Sequence, residues 1–188
     1  MQNLIIDIGN TAVKAAWAEG PTIGKTFRYQ GERVRNFILS LTEKEKPSVM
    51  IISSVNEISA HDEAAYSKEC ERLIIMDSAH TQVLADNGVP EWVSCDRAAS
   101  VIAVRHLFRG NGCTVMDFGT TLSIDFIDKD GGYAGGNISL GCRTRFKALN
   151  RYSRALPLVD TPSEIEFPGD SFLSSVTSGI ISGLMFEI

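Results

Sequence analysis

Short apolar runs alternate along this chain with segments of helical periodicity, and clusters of Gly, Pro and polar residues separate them. Within residues 32–45, apolar residues from Val34 to Leu41 recur at three- and four-residue spacing, which places them on one helix face. Residues 48–55, SVMIISSV, form a short continuous apolar run instead, which is typical of a buried strand. The pattern predicts two strands within 4–20, further strands at 24–28, 48–55, 73–77, 113–118, 121–127 and 132–138, helices at 32–45, 60–72, 97–108, 143–152 and 171–188, and a loop-rich segment at 78–94.

One motif occurs twice, 110 residues apart. LIIDIGNTAVKAAWAEG at 4–20 and TVMDFGTTLSIDFIDKDGG at 114–132 each contain an apolar strand, then Asp-x-Gly-[Asn/Thr]-Thr, then a second strand. The separation is too long for a solenoid and favours two copies of a domain. The residues in register are Asp7 with Asp117, Gly9 with Gly119, Asn10 with Thr120, and Thr11 with Thr121.

Strand pairs combined with helix-linked buried strands predict an α/β fold with mixed sheets. We divide the chain into residues 1–94 and 95–188, each with one copy of the hairpin, and expect a ligand cleft between the two domains. The final helix reaches Ile188 without a stop signal. The C-terminal domain is therefore expected to be truncated.

Composition and charge restrict the classes of function that fit this chain. A formal net charge of −5 argues against nucleic-acid binding, and the basic cluster from Arg143 to Arg154 is interpreted as a solvated helix face. The N-terminus lacks the features of a signal peptide, and no apolar run reaches the roughly 20 residues of a membrane span. Four scattered cysteines form neither a disulfide framework nor a zinc motif, so we expect reduced thiols and a cytoplasmic protein.

The repeated turn is suited to binding phosphate. Glycine lets the backbone approach a ligand, and the Asn and Thr that follow it add donors. A carboxylate before the glycine suits a divalent ion that bridges to phosphate, so Asp7, Gly9, Asn10, Thr11 and Lys14 are candidates for a nucleotide phosphate site. The alternative is a merely polar hairpin turn, which a single copy would leave equally plausible. The Walker and Rossmann patterns are both absent.

The detailed motifs resemble type III pantothenate kinase, a family of the actin and sugar-kinase superfamily. The matching strings, in the family's order, are DIGNTAVK (7–14), CDR (95–97), MDFGTT (116–121), GGNISLG (135–141), KALNRYSRALP (147–157) and SGIISG (178–183). This resemblance implies two ribonuclease-H-like, actin-like domains. It also implies phosphorylation of the primary hydroxyl of pantothenate by ATP, with Mg²⁺, a monovalent cation (K⁺ or NH₄⁺) and a homodimeric state.

Roles carried over from the family assign Asp96 as the general base and Arg97 as a substrate contact. Asp117 would bind the monovalent cation, and Asp7 would hold Mg²⁺, in part through water. Asp96 has a structural alternative as a helix N-cap, and Arg97 as a residue that shields the helix surface. The residues expected to bind ATP are Asp7, Ile8, Gly9, Asn10, Thr11, Ala12, Val13, Lys14 and Thr120; those expected to bind substrate are Ser94, Cys95, Asp96, Arg97 and Phe172.

The sequence departs from the family at several positions. Ser94 replaces a glycine, Leu140 replaces a proline, and Phe172 stands where the family has a substrate-contacting threonine, with Ser171 one position earlier. These differences leave two alternatives open. One is a catalytically weak or inactive relative that binds nucleotide and acts as a regulator; the other is an actin-like kinase for another acceptor. Trp92 has no binding pattern around it and is interpreted as a core or interface residue.

Overall fold

The computed structural model describes residues 2–159 and 165–188. Its strands are β1 (Asn3–Ile8), β2 (Val13–Glu19), β3 (Thr22–Tyr29), β4 (Val49–Ser54), β5 (Arg72–Met76), β6 (Cys113–Phe118), β7 (Thr121–Ile127) and β8 (Tyr133–Leu140). Its helices are α1 (Val34–Thr42), α2 (Ala60–Tyr66), α3 (Gln82–Asp86), α4 (Cys95–Leu107), α5 (Cys142–Tyr152) and α6 (Phe172–Glu187). The mixed α/β class predicted from the sequence is confirmed.

Two segments differ from the prediction. The helix expected over 60–72 ends at Tyr66, and a 3-10 turn at Ser67–Glu69 leads into β5. The segment 78–94 is not entirely loop, because it contains α3, whose Leu84 is fully buried. Five residues are too few to display helical periodicity, so the sequence pattern does not reveal this helix.

The first sheet has the order β3-β2-β1-β4-β5. The pairs β1–β2 and β2–β3 are antiparallel, whereas β1–β4 and β4–β5 are parallel. Strand alternation places one face of the sheet in the core, where α1 contributes Ile38 and the end of α2 contributes Tyr66. The remaining buried residues of this core are Leu4, Ile6, Ile8, Val13, Ala15, Met50 and Ile52.

The second sheet has the order β6-β7-β8, so β7 is its central strand. Leu122 and Ile124 of β7 pack with Leu184 of α6, and a neighbouring cluster joins Phe146 of α5 to α6. Asp125 is 1% exposed on this central strand. The basic face of α5 is solvated except at Arg145, which pairs with Glu187.

The chain forms two compact units. One comprises Met1–Cys113 with Ile127–Tyr133, and the other comprises Thr114–Phe126 with Ala134–Ile188. Helix α4 lies in the first unit, together with the first hairpin. The domain boundary expected at residue 94 stays a prediction. In the described ranges, no helix combines the length and apolar character that a membrane crossing requires.

Candidate functional site

The first copy of the motif forms the turn between β1 and β2. Ile8 pairs with Val13, and the turn is closed by a hydrogen bond from the Gly9 amide to the Ala12 carbonyl at 3.1 Å. Asp7 lies directly opposite Lys14, whose Nζ is 3.4 Å from Asp7 Oδ2. The Lys14 side chain is mostly exposed and the Asp7 side chain is partly exposed, so this ion pair adds little stability and the two groups stay accessible to a ligand.

Alternation along the two strands separates the predicted ATP-binding residues into two groups. Ile8 and Val13 are buried in the core, so only their backbone groups can face a ligand. Asp7 and Lys14 point to the opposite face, and Asn10 and Thr11 are exposed at the turn. The structure therefore gathers one carboxylate, one ammonium and the polar turn residues on the accessible side of the hairpin.

The same face carries a cation that the sequence interpretation missed. Lys14 pairs across the sheet with Arg28 of β3, so Asp7, Lys14 and Arg28 form one cross-strand row. They line a surface concavity of about 490 Å³, with Ile5 in the next row. Arg28 was predicted only as a strand end. The signal that would have found it is the pairing register of β2 with β3, which local sequence does not supply.

The carboxyl ends of the parallel strands meet at one edge of the first sheet. The Val55 amide donates to the Ile8 carbonyl at 3.0 Å, which joins the ends of β4 and β1. Asp77 follows β5 and is completely buried. In open α/β sheets this edge is where ligands bind.

Asp77 organises two loops at this edge. Its Oδ2 accepts from the Ile58 amide at 2.8 Å, and its Oδ1 accepts from the amides of Ala79 and His80, both at 2.9 Å. The His80 ring nitrogen Nδ1 lies 2.7 Å from the same oxygen. Burial alone would raise the pKa of Asp77, but these hydrogen bonds outweigh it and the pKa is lowered. Asp77 is thus ionised, and the hydrogen bonds to its carboxylate anchor the two loops.

Helix α4 begins beside this anchor. Ser94 is the N-cap residue, so the alternative of Asp96 as N-cap is wrong, and Asp96 lies in the first turn. Among the described residues, Asp96 Oδ1 is buried and has no hydrogen-bond partner. A buried carboxylate oxygen without a donor is costly, and such exceptions concentrate at functional sites.

The other predicted substrate-site residues of α4 are more buried than expected. Burial, followed by the charges of Asp77 and Asp96, raises the pKa of the Cys95 thiol, so it is protonated at neutral pH and is no nucleophile. Arg97 is 6% exposed, which excludes the role of shielding the helix surface. Its Nη2 donates to the Tyr133 hydroxyl at 3.0 Å.

The second copy of the motif forms a tighter turn in the other unit. The Gly119 amide donates to the Thr121 carbonyl at 2.9 Å. The Thr120 carbonyl accepts from the Gly141 amide at 3.0 Å and from the Thr144 hydroxyl at 2.7 Å, which fixes the start of α5 against the turn. A methyl group on Gly141 would collide with the Gly119 carbonyl, so this position requires glycine for close approach.

Two further predicted residues lie on exposed positions of the second unit. Asp117 is exposed on β6 and has no hydrogen-bond or ion-pair partner among the described residues. Phe172 is 72% exposed as the first residue of α6. Ser171 is the N-cap of this helix and its hydroxyl accepts from the Ser174 amide, so that hydroxyl already has a structural use.

The residues fit the metals that the resemblance implies to different degrees. Within residues 2–159 and 165–188, no three His, Cys, Asp or Glu side chains assemble into a metal site. A single carboxylate such as Asp7 beside phosphate oxygens and water fits Mg²⁺, which is commonly held in this way. Asp117 offers one exposed carboxylate, and its assignment to a monovalent cation stays a prediction.

The mixed-sheet fold of this chain has counterparts among solved structures. Among solved structures, a conserved Campylobacter jejuni protein assigned to the Baf family of transcriptional activators aligns with a TM-score of 0.60 at 18% identity, covering 98% of this chain and 76% of that one. A Listeria monocytogenes protein assigned as an N-acetylmannosamine kinase aligns with a TM-score of 0.54 at 12% identity, covering 97% of this chain and 74% of that one. At these identities the likeness concerns the fold alone.

Sequence comparison identifies the family. The profile of the type III pantothenate kinase family matches residues 3–188. The type III pantothenate kinase of Phocaeicola vulgatus is 37% identical over 191 residues, which span 99% of this chain and 77% of that protein. That of Cytophaga hutchinsonii is 31% identical, with 99% and 77% covered. The chain belongs to the type III pantothenate kinase family.

Proposed function

We propose that this protein transfers the γ-phosphoryl group of ATP to the primary hydroxyl of pantothenate, giving 4′-phosphopantothenate for coenzyme A synthesis. Membership of the type III pantothenate kinase family supports the reaction and the substrates. The structural observation that carries the proposal is Asp96, whose buried Oδ1 has no donor among the described residues. A substrate hydroxyl is the donor that this oxygen lacks.

The chemistry assigned to Asp96 is that of a general base. The hydroxyl oxygen forms a bond to the γ-phosphorus, and the bond from that phosphorus to the β,γ-bridging oxygen breaks to release ADP. The hydroxyl proton passes to the Asp96 carboxylate as the new bond forms. Asp96 lies in the first turn of α4, so the helix fixes the position of its carboxylate.

The first hairpin is proposed to hold the phosphates of ATP. Amides of the Gly9–Ala12 turn, the Asn10 side chain and Lys14 can bind the phosphate oxygens, as the exposed face of the hairpin allows. Asp7 would hold Mg²⁺, directly or through water, and bound Mg²⁺ neutralises charge on the phosphates. The exposed row formed with Arg28 adds a second cation to this face.

The remaining features of the proposal come from the family resemblance. Asp117 would hold a K⁺ or NH₄⁺ ion, and Thr120 would contact the nucleotide. The two-domain, ribonuclease-H-like architecture, the homodimer and the cytoplasmic location stay predictions. A regulatory relative without turnover and a kinase for another acceptor are separated from the main proposal by measuring activity.

The deciding experiment measures ADP release with ATP, Mg²⁺ and K⁺, with pantothenate as acceptor, for the wild type and Asp96→Asn. We expect Asp96→Asn to lower kcat by a factor of about 100 to 10,000, the usual contribution of a general base. Asp130→Asn is the matched control, because Asp130 is exposed in the turn between β7 and β8 and should leave kcat unchanged. Full activity of Asp96→Asn would exclude the role of Asp96, and a wild type that binds ATP without pantothenate turnover would favour the regulatory alternative.

A further inference from the structure

A second cavity of the first unit lies at the C-terminal end of α4, whereas Asp96 lies at the other end of this helix. Arg105 lines the cavity and follows Asp96 by nine residues, which separates them by about 13 Å along the helix axis. The volume of the cavity is about 250 Å³. Pockets for drug-sized ligands measure about 300 to 1,000 Å³, so this cavity suits a smaller molecule.

Three cations and one carboxylate line this cavity, which we call the basic cavity. The cations are Arg105, Arg109 and Lys129, and the carboxylate is that of Asp130. Arg109 contacts the His106 ring, with Nη2 3.1 Å from Nδ1. In the part of the chain that the structure describes, none of the three cations pairs with a carboxylate. A concave surface with unpaired positive charge attracts an anion.

Arg105 has a donor that no described residue accepts. Its Nη1 donates to the Asn87 carbonyl, but its Nε is buried without a hydrogen-bond partner. The dipole of α4 favours a cation in the last turn, which accounts for an arginine at this position but not for the unpaired Nε. A buried donor without an acceptor costs free energy, and a bound ion or water is one of the ways in which proteins satisfy such a group.

The contacts of Arg105 indicate the class of ligand. Since Nη1 bonds to Asn87, the edge formed by Nε and Nη2 remains, and two parallel N–H donors are the geometry that binds an oxyanion. The stem of the side chain lies next to the turn between β7 and β8, because a Cβ at Gly131 would be 3.8 Å from Arg105 Cγ. Lys129 belongs to the same turn, so the two cations lie on facing segments of the cavity.

We propose that the basic cavity is a binding site for a phosphate group. The Nε and Nη2 donors of Arg105 bind two of its oxygens, and Arg109 and Lys129 neutralise its charge. Three cations with the carboxylate of Asp130 leave the lining with a net charge of +2, which matches a phosphate group of about −1.5 to −2 at neutral pH better than a carboxylate. The inference does not depend on the proposed function, because no lining residue belongs to the predicted ATP or substrate site.

The test is titration calorimetry of the whole chain with inorganic phosphate and with glycerol 3-phosphate, at constant ionic strength so that screening does not change. We expect saturable binding, and the anion that binds more tightly distinguishes a free phosphate from the phosphate group of an ester. Arg105→Lys keeps the charge but removes the paired donors, so the Kd should rise about tenfold or more, as for a lost hydrogen bond to a charged group. Lys44→Gln is the matched control, because Lys44 is exposed outside the cavity and its loss should change the Kd less than about twofold.

Two further variants locate the bound phosphate. Lys14→Gln removes a cation of the first hairpin, where phosphate is also expected to bind, and should leave binding in the basic cavity unchanged. Lys129→Gln removes an exposed cation, so it should fold normally even if Arg105→Lys does not, and it should raise the Kd about three- to fivefold, the size of an exposed ion pair. The inference is overturned if the wild type binds neither anion saturably, if Lys14→Gln abolishes binding, or if Lys129→Gln leaves it unchanged. The kinase proposal survives each of these three outcomes.

Discussion

The two copies of the Asp-x-Gly-[Asn/Thr]-Thr hairpin occupy different surroundings. The strand of the first copy alternates between core and accessible faces, with Ile6 and Ile8 1% and 9% exposed. In the second copy the corresponding residues, Met116 and Phe118, are 38% and 59% exposed. The same local motif is thus backed by a hydrophobic core in one unit and lies on a mostly exposed edge strand in the other.

The two turns also differ in how accessible they are. The first turn spans Gly9–Ala12 and leaves its polar side chains accessible, whereas the second is reduced to Gly119 and Thr120 and is packed against the start of α5. The repeated motif thus preserves the local hairpin but not its environment. We infer that the first hairpin owes its geometry to the core behind it, and the second owes its geometry to close backbone contacts.

The largest expected effect comes from matched truncations of the two strands. Ile6→Ala removes a fully buried side chain and should lower the free energy of unfolding by about 3 to 4 kcal/mol. Met116→Ala, at the equivalent position, should cost about 1 kcal/mol or less, because its side chain is already partly solvated. Chemical denaturation of both variants measures the difference. Equal losses of unfolding free energy would show that core packing stabilises the two hairpins to the same extent.

The next effect concerns the buried anchor of the first unit. Asp77→Asn should lower the free energy of unfolding by about 3 kcal/mol. The substitution removes a buried charge that accepts hydrogen bonds, and it places the side-chain NH₂ group against a backbone N–H donor. The pKa of Asp77 is lowered on folding, so its contribution is present above the ordinary value of 3.8 and is lost as the pH falls below it. The free energy of unfolding, measured from pH 6 to pH 2, should fall with decreasing pH in the wild type and should fall less in Asp77→Asn.

A suitable control for the anchor is Asp86→Asn, whose exposed carboxylate bonds only Gln82 in the described chain. It should change stability by less than about 0.5 kcal/mol at neutral pH. If Asp86→Asn and Asp77→Asn were equally destabilising, the anchor role of Asp77 would have to be abandoned.

The smallest effect tests the backbone contacts of the second turn. Gly141→Ala should cost about 2 kcal/mol, because the new methyl group must displace the backbone of the Gly119–Thr120 turn. Gly179→Ala is the control within the same unit, since nothing lies within 4 Å of the added Cβ and helix propensity should make it neutral or stabilising. Thermal unfolding of both variants checks this, and a harmless Gly141→Ala would mean that the turn is loosely held.

Local sequence was sufficient for most of the secondary structure, and the site residues that it proposed within motifs stay predictions. The strand at 113–118 and the helix near 143–152 follow directly from apolar runs and spacing. Asp7 and Lys14 were proposed from a string of a few residues, and Asp96 was proposed from the resemblance of a short string to the family. The five-residue α3 and the 3-10 turn after α2 were missed because so few residues carry no periodic signal.

By itself the sequence determined the hairpins, the mixed α/β class and the candidate chemistry, because each depends on neighbouring residues and their period. Only the tertiary structure decided that Arg28 stands beside Lys14, that Asp77 is buried with four hydrogen bonds, and that Tyr133 reaches Arg97 from 36 residues away. These contacts depend on strand register and on packing between distant segments. No local pattern of side chains encodes them, since the free energy that selects them comes from burial of the whole unit.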